Sequence, residues 1–170
     1  VSITSNGNTT YYATLEQAIA DAPANSTVDV LADVTISSPI EMNKSLTING
    51  NDHSVTATYE GGSGNKSIFT VSGTGNTLTL SKVNLVDSPK YGVQVYSDAA
   101  ATLTDVTITN PGFAGVLLNG GEGTLNNVTV NSQDKPAVEL GKGDNVSTYP
   151  TLTEGSTVSG GTGLYVDTGD

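Results

Sequence analysis

The second half of the chain decides the fold, because one pattern occurs there four times. The four segments are TLTLSKVNLVDSPKYGVQVYS (77–97), TLTDVTITNPGFAGVLLNG (102–120), TLNNVTVNSQDKPAVELGKG (124–143) and TLTEGSTVSGGTGLYVD (151–167). Their Thr-Leu starts are 25, 22 and 27 residues apart. Such a period is typical of proteins in which each repeat packs only on its neighbours.

Each unit contains a lone apolar position followed by two pairs of alternating apolar residues, except that the middle pair is reduced to Val158 in the last unit. In the second unit these are Leu103, then Val106 with Ile108, then Val116 with Leu118. Alternation at period 2 predicts three short strands per unit, each with one side facing a core. No unit can bury that side alone, whereas parallel stacking of units closes one aliphatic core. We therefore predict an all-β fold, a right-handed, three-faced parallel β-helix (β-solenoid) of about six coils.

The first half of the chain continues the pattern less regularly, and it begins with the best helix signal. The capping box Thr14-Leu-Glu-Gln17 precedes apolar residues at helical spacing, and Pro23 ends the run. We predict an N-terminal cap over residues 1–27, made of a short strand and a helix at 14–22. The β-helix follows over 28–170 in the same structural domain, with a flexible excursion at 59–66. Since no cap follows the last apolar pair, we expect the β-helix to be truncated at its C-terminal end.

Composition supports a β-rich chain. Among 170 residues there are 25 Thr, 17 Ser, 20 Gly and 15 Asn, all poor helix formers, and 18 Val. The net charge is −11, with six lysines and no arginine. Nucleic acid and anionic membranes both require a basic face, so we expect neither as a partner. The chain has no cysteine and no apolar run approaching the ~20 residues of a membrane span.

The opening of the chain resembles a known family. Tyr-x-Thr-Leu-x-x-Ala-Ile (12–19), followed by Ser-Thr-Val-x-Val-Leu-x-Asp-Val-Thr-Ile (26–36), looks like the first module of pectate-lyase-like parallel β-helix domains. Such modules recur in large adhesin-like surface proteins of bacteria. The resemblance implies a secreted, cell-surface or cell-wall location and a role in adhesion or glycan interaction. The superfamily also contains polysaccharide lyases and hydrolases, which fold alone cannot exclude.

The chemistry of such enzymes finds little support in these residues. A lyase needs a strong base such as Arg or Lys, and a hydrolase needs paired carboxyl groups. Arginine is absent, no two acidic residues are adjacent, and the one histidine, His53, has only Asp52 beside it. We interpret Asp52-His53 as an exposed turn, and we predict no catalytic residues and no enzyme activity. A related lyase or hydrolase remains the alternative.

Metal binding has weak support as well. Acidic residues lie in or near turns that stacking could bring together, and carboxylate oxygens are the ligands that Ca²⁺ prefers. These residues are Asp87, Asp98, Asp105, Asp144 and Asp167. No D-x-D-x-D-G loop or G-G-x-G-x-D repeat accompanies them. We therefore predict no metal site and no cofactor, and interpret these acids as solvated turn residues.

Hydroxyl side chains form a second pattern, because Thr, Ser or Asn flank the lone leucine of each unit. The pairs are Ser45-x-Thr47, Thr77-x-Thr79, Thr102-x-Thr104, Thr124-x-Asn126 and Thr151-x-Thr153. Outward T-x-T columns resemble the flat faces of ice-binding solenoids. Threonine is also simply favoured on the outer side of a strand. Ice binding is therefore a second alternative.

The few aromatic residues suggest where a ligand would bind. Tyr91, Tyr96, Phe113, Tyr149 and Tyr165 fall near the turns that bound the second strand pair of each unit. Exposed rings beside amides and carboxylates hold sugars by stacking and short polar contacts. The predicted ligand-binding residues are Tyr91, Tyr96, Phe113, Asn119 and Tyr165. Other asparagines, Asn110, Asn127 and Asn131, are interpreted as turn and amide-ladder residues, an interpretation that also fits Asn119.

Together these observations predict a non-catalytic extracellular surface module of a larger bacterial protein, binding a glycan or host surface or acting as a stalk. Its expected partner is a glycan or a host or cell-surface component, with no nucleic acid and no membrane insertion. An uncapped last coil exposes unpaired backbone groups, so end-to-end self-association through that coil is a further expectation.

Overall fold

The computed structural model describes residues 1–5, 7–142 and 149–167, which form one short helix and sixteen strands. The helix is α1 (Leu15–Asp21). The strands up to the third coil are β1 (Ser2–Ser5), β2 (Asn8–Tyr11), β3 (Thr27–Asp29), β4 (Val34–Ile36), β5 (Ile40–Met42), β6 (Leu46–Ala57), β7 (Phe69–Ser72), β8 (Thr77–Val86) and β9 (Tyr91–Tyr96). The remaining strands are β10 (Ala100–Thr109), β11 (Ala114–Asn119), β12 (Glu122–Asn131), β13 (Val138–Gly141), β14 (Thr151–Leu152), β15 (Val158–Gly160) and β16 (Leu164–Val166).

Strands one coil apart pair in parallel along the molecule. One ladder runs β3-β6-β8-β10-β12-β14, and a second runs β5-β7-β9-β11-β13-β16. Strands β4 and β15 join the first sheet beside β6 and β12. The result is a parallel β-solenoid of six coils, which confirms the predicted fold class. We number the coils from β3–β5 (coil 1) to β14–β16 (coil 6).

The long strands each turn at a single residue. Lys82, Asp105 and Asn127 have φ values of 49°, 54° and 57°, in the left-handed region, and the pairing of β8, β10 and β12 skips them. Asn and Asp tolerate this conformation better than most residues. Each coil therefore has three straight segments. We call the segment before this corner face 1, the segment after it face 2, and the ladder from β5 to β16 face 3.

Aliphatic side chains from all three faces form one buried core. One inward column is Ile48, Leu80, Leu103 and Leu125, all fully buried. This register corrects the alignment of repeats on their Thr-Leu starts, because Leu103 stacks on Leu80, not on Leu78.

A second inward column explains the error in the alignment. It contains Leu46, Leu78, Ala101, Gly123 and Leu152, so two of its members are too small to be recognised as core residues from the sequence. A Cβ on Gly123 would lie 2.7 Å from Leu118 Cδ1. The side chain of the neighbouring face thus fills the space that this glycine leaves.

The N-terminal end of the core is covered. Thr14 Oγ1 accepts a hydrogen bond from the Gln17 N–H at 3.2 Å, as the capping box predicts, and Leu15 and Ile19 are buried against the core. Strand β1 pairs antiparallel with both β2 and β3. The helix and this hairpin shield the first coil, where Val28 is fully buried.

The last coil is more open. Leu164 and Val166 occupy inward positions, stacked on Val138 and Leu140, but they are 57% and 53% exposed. Val158, the reduced middle pair of the fourth repeat, is partly buried in β15. In the part of the chain that the structure describes, no helix is long and apolar enough to cross a membrane.

Candidate functional site

Four of the five residues predicted to bind a ligand lie on strands of face 3, and the fifth lies just before one. Tyr91 and Tyr96 are on β9, Asn119 ends β11, Tyr165 is in β16, and Phe113 immediately precedes β11. Face 3 thus brings the predicted residues onto one ladder, with β13 between β11 and β16.

The pairing of these strands creates two columns of side chains on the outer surface. One column contains Gln94, Leu117, Glu139 and Tyr165 from successive coils. The other contains Tyr96, Asn119 and Gly141. Asp167 continues the second column, since its N–H donates to the Leu140 carbonyl at 2.7 Å.

Tyr91 anchors a small hydrophobic cluster outside the main core. It packs with Ala114 and Leu117, and all three are buried although they face outward. The Tyr91 and Phe113 rings meet edge to face, with centroids 5.7 Å apart. Tyr91 is therefore not the exposed ring that its position suggests, because Phe113 covers it. Among the predicted ligand-binding residues, the exposed rings are those of Phe113 and Tyr165, and each of these side chains is 51% exposed.

Glu139 lies at the centre of this face. The Tyr91 hydroxyl donates to Glu139 Oε1 at 3.5 Å, a long hydrogen bond. Burial raises the pKa of Glu139, the hydrogen bond from Tyr91 opposes that rise, and the nearby Asp167 charge adds to it. Burial, together with the Glu139 charge, also raises the pKa of Tyr91. Glu139 and Asp167 therefore form a small acidic region next to the Tyr91 ring.

Asn119 and Gly141 form a small recess beside Glu139. A Cβ on Gly141 would lie 4.0 Å from Asn119 Oδ1, 3.8 Å from Asp167 Cβ and 3.9 Å from Leu117 Cδ1. Asn119 Oδ1 is buried and has no hydrogen-bond partner. Buried acceptors are normally satisfied, so this oxygen is an unusual feature of the packing between coils 4 and 5.

The excursion at 59–66 follows face 2 of coil 2 and lies on the N-terminal side of the Tyr91 cluster. It leaves coil 2 between β6 and β7, where the sequence predicts it. Asn65 Nδ2 donates to Glu41 Oε1 at 3.0 Å and to Thr70 Oγ1 at 2.6 Å, which fixes the excursion to the outer side of coils 1 and 2. Tyr59 donates from its hydroxyl to the Ser67 carbonyl at 2.9 Å, and burial raises the pKa of Tyr59 to about 12.

A lysine joins this excursion to the aromatic cluster. Lys90 Nζ donates to the Gly64 carbonyl at 2.8 Å and lies 5.4 Å from the centre of the Phe113 ring. The corner between faces 2 and 3 also contains a cleft of about 760 Å³. Polar side chains in its lining are Asn110, Asn131, Ser132, Gln133 and Asp134.

Face 1 has a different outer surface, formed by an unbroken column of threonines. Five of them stack by strand pairing, namely Thr27, Thr47, Thr79, Thr102 and Thr124. Thr124 Oγ1 donates to Thr153 Oγ1 at 3.0 Å, which adds a sixth. The sequence predicts a threonine ladder but groups its members differently, because it follows the same shifted repeat alignment.

Asparagines at the corners bond to the acids of the coil below. Asn127 Nδ2 donates to Asp105 Oδ1 at 2.7 Å, and Asn110 Nδ2 donates to Asp87 Oδ1 at 3.1 Å. Asn110 and Asn127 therefore lie at turns, as predicted, but each bonds to a carboxylate of the preceding coil and not to another amide. Asn131 contributes more weakly, through a 3.4 Å bond to Thr109 Oγ1.

The remaining candidate acids and the histidine are spread over the coil corners. His53 Nδ1 lies 3.4 Å from Asp33 Oδ1, just after the corner in β6. Among the residues that the structure describes, no group of three or more His, Cys, Asp or Glu side chains is close enough to hold a metal ion. Asp144 lies outside the described residues.

Sequence reasoning missed Leu117, Glu139 and Gly141. Glu139 follows the inward Val138, so its outward position was readable from the alternation. The burial of Leu117 could not be predicted without knowing that Tyr91 packs beside it.

Comparisons of the chain with protein-family models, with curated proteins and with solved structures give no match.

Proposed function

We propose that this chain is a non-catalytic extracellular surface module of a larger bacterial protein, adhesin-like, that binds a glycan on the outer side of face 3 in coils 3 to 6. The observation that carries the proposal is the exposed Phe113 and Tyr165 rings on the ladder that also presents Asn119 and Glu139. Sugar rings stack on aromatic faces, while amide and carboxylate oxygens accept hydrogen bonds from sugar hydroxyls.

The resemblance of residues 12–36 to pectate-lyase-like β-helix domains supports the same proposal, since such domains recur in bacterial surface proteins. The proposed location is accordingly secreted, at the cell surface or in the cell wall. The partner is a glycan or another host or cell-surface component, with no role for nucleic acid or membrane insertion, in keeping with the net charge of −11.

A glycan array with paired variants tests the proposal. We expect Phe113→Ala and Tyr165→Ala to weaken binding by roughly tenfold each, about 1.4 kcal/mol. Tyr11→Ala is the matched control, because Tyr11 is 74% exposed on the N-terminal hairpin. Equal losses in all three variants, or no bound glycan, would contradict the proposal and favour a stalk.

The alternative of a related lyase or hydrolase is tested separately. Such an enzyme would release unsaturated or reducing sugars from pectin-like substrates. We expect no release, since the chain has no arginine, its six lysines are scattered along the sequence, and Glu139 already bonds to Tyr91. Substrate turnover that is lost in Glu139→Ala would establish catalysis instead.

The threonine column of face 1 favours a second candidate, ice binding. Its six threonines occur once per coil, at the spacing of about 4.8 Å between stacked strands. The next outward column is mixed, with Asn49, Ser81 and Thr104 among its members, which argues against a regular two-column lattice. Thermal hysteresis in the unchanged chain that is lost in Thr102→Tyr would support ice binding. No thermal hysteresis in the unchanged chain would rule ice binding out.

We also propose that the last coil supports end-to-end self-association. The inward side chains of Leu164 and Val166 are exposed, and β16 pairs with β13 alone among the described strands, so both features favour contact with another strand. Sedimentation velocity of Leu164→Lys against the unchanged chain tests it. A monomer at all concentrations in both proteins would overturn it.

A further inference from the structure

The corner between faces 2 and 3 changes length at the last coil. In coil 5, the corner runs between Val130 and Val138, which are eight residues apart, and the positions that pair with them in coil 4 are also eight apart. In coil 6, the positions that stack on them are Gly160 and Leu164, only four residues apart. The corner turn of coil 5 therefore projects beyond that of coil 6.

Backbone hydrogen bonds hold the shorter turn against the projecting one. The Gly161 N–H donates to the Val130 carbonyl at 2.9 Å, and the Thr162 N–H donates to the Lys135 carbonyl at 2.9 Å. Within the projecting turn, the Lys135 N–H donates to Ser132 Oγ at 3.1 Å. The recess beside the projecting turn therefore has a fixed backbone, which reduces the cost of ordering when a ligand binds.

The cleft of about 760 Å³ at this corner has polar walls. Among the described residues that line it, only Pro111 and Val130 have apolar side chains, and both are buried. A ligand would therefore contact the polar side chains of the lining and the backbone of Gly160 and Gly161. Sites of this volume usually bind small molecules through apolar walls. Polar walls instead suit a ligand with many hydroxyl groups.

Amide groups in the cleft remain available for a ligand. Gln133 is exposed, and its side chain forms no hydrogen bond within the described residues. Asn131 and Asn110 donate from Nδ2 to Thr109 and to Asp87, while in the same part of the chain their Oδ1 atoms accept no hydrogen bond. An amide side chain both donates and accepts, as a sugar hydroxyl does.

The charged groups of the cleft do not favour an anionic ligand. Asp134 is the one ionisable residue in the described lining, and its Oδ2 lies 2.9 Å from Lys135 Nζ. Asp87, which accepts the hydrogen bond from Asn110, adds a second carboxylate at this corner. A carboxylate ligand would therefore meet two acids, and the lysine beside them is already paired.

We propose that this cleft, at the corner of coils 4 to 6, is a second binding site, which takes neutral glycans. The inference takes its ligand class from the proposed function and adds a site made of other residues than those of face 3. Hydroxyls of a neutral sugar exchange hydrogen bonds with Gln133, Asn131 and Asn110. A uronate is disfavoured by Asp134 and Asp87.

Titrations followed by two-dimensional ¹⁵N–¹H NMR distinguish the cleft from face 3. The probes are hexasaccharides of mannose, of N-acetylglucosamine and of galacturonate. We expect the two neutral hexamers to shift the backbone signals of residues 131–134 and the side-chain amide signal of Gln133. They should bind at least about tenfold more tightly than the galacturonate hexamer.

A matched pair of variants tests the amide itself. Gln133→Ala should weaken binding of the neutral hexamers at the cleft by about threefold, the effect of losing one hydrogen bond. Asn8→Ala is the control, because Asn8 is an exposed amide on the N-terminal hairpin, and it should leave that affinity unchanged. The spectrum of each variant shows directly whether it is folded.

The location of the shifts separates this inference from the proposed function. Shifts confined to the surroundings of Phe113 and Tyr165 would overturn the inference and leave the proposed function standing. Shifts confined to the cleft would support the inference and contradict the proposed site on face 3. Equal affinity for the galacturonate hexamer, or equal affinities in Gln133→Ala and Asn8→Ala, would overturn the inference. No shift in either region with any hexamer would overturn it as well, and the glycan array then decides the proposed function.

Discussion

Face 1 and face 3 have the same kind of interior and opposite exteriors. On face 1, the outer side shows hydroxyls and amides in columns, with Thr102 between Thr79 and Thr124. On face 3, the outer side has its own buried cluster around Tyr91 and Leu117. A solenoid needs only its inner residues to hold the coils together. The outer packing of face 3 is therefore an addition to the core that the stack requires, and face 1 has no counterpart of it among the described residues.

The largest expected effect tests whether the interior seen on face 3 continues unchanged into face 2. Ile108 in face 2 and Val116 in face 3 are both fully buried, so Ile108→Asp and Val116→Asp should each cost more than about 3 kcal/mol by burying an unpaired carboxylate. Thr107→Asp, on the outer side next to Ile108, should stay within about 1 kcal/mol. Urea unfolding measures all three, and equal stability across them would mean that Ile108 does not face the core.

The second largest expected effect distinguishes the outer side of face 3 from the outer side of face 1. Leu117→Ala removes a buried side chain from the outer cluster of face 3, and we expect a loss of about 2 kcal/mol. Thr102→Ala, on the partly exposed threonine column of face 1, should change stability by less than about 0.5 kcal/mol. A neutral Leu117→Ala would show that the outer cluster does not stabilise the fold.

A smaller effect is expected at the corner between faces 1 and 2. Asn127→Ala loses the bond to Asp105 and places alanine at a φ of 57°, so we expect a cost of about 1–2 kcal/mol. Asn127→Gly loses the same bond but accepts the left-handed conformation, and it should cost less. Thermal unfolding of both variants tests this order. A glycine variant as damaging as the alanine variant would assign the whole effect to the side-chain bond.

The smallest effect concerns the acid of face 3. Burial raises the pKa of Glu139, so the folded state holds the proton more readily than the unfolded chain, and ionisation destabilises the fold as pH rises through the folded pKa. Glu139→Gln should therefore raise stability near pH 7. The gain should be below about 1 kcal/mol, because solvent screens a partly exposed carboxyl.

The same gain should vanish below the ordinary glutamate pKa of about 4.3, where Glu139 is neutral in both states. Melting temperatures of the variant and the unchanged chain at both pH values provide the measurement. A gain of equal size at the two pH values would mean that the charge of Glu139 is not its cause.

Much of the fold was predictable from the sequence, because the core depends on a local pattern. Paired aliphatic residues such as Val106 and Ile108 identify strands with one inward side, and the capping box at Thr14 identifies the helix. The register in which successive coils stack was not predictable. It depends on Ala101 and Gly123, which occupy core positions without the volume that makes such positions visible.

The candidate site was predictable only in outline. Alternation places Tyr96 and Tyr165 on the outer side of their strands, and parallel stacking puts equivalent strands on one face. The burial of Tyr91 under Phe113 depends on a contact between separate coils. The unpartnered oxygen of Asn119 likewise depends on three-dimensional packing, so no pattern along the chain reveals it.

The single-residue corners at Asp105 and Asn127 have a consequence for how such a molecule diversifies. Leu103 and Leu125, one coil apart, are 22 residues apart in sequence, and that corner leaves no room for insertions. The longer connection at 58–68 instead lies between faces 2 and 3 of coil 2, and the chain after β13 leads from face 3 to face 1 at β14. Insertions and deletions can therefore accumulate along both margins of face 3 without disturbing the stacked ribbon. The architecture thereby separates a core of fixed geometry from connections that can change in length, much as antibody loops vary on a constant framework.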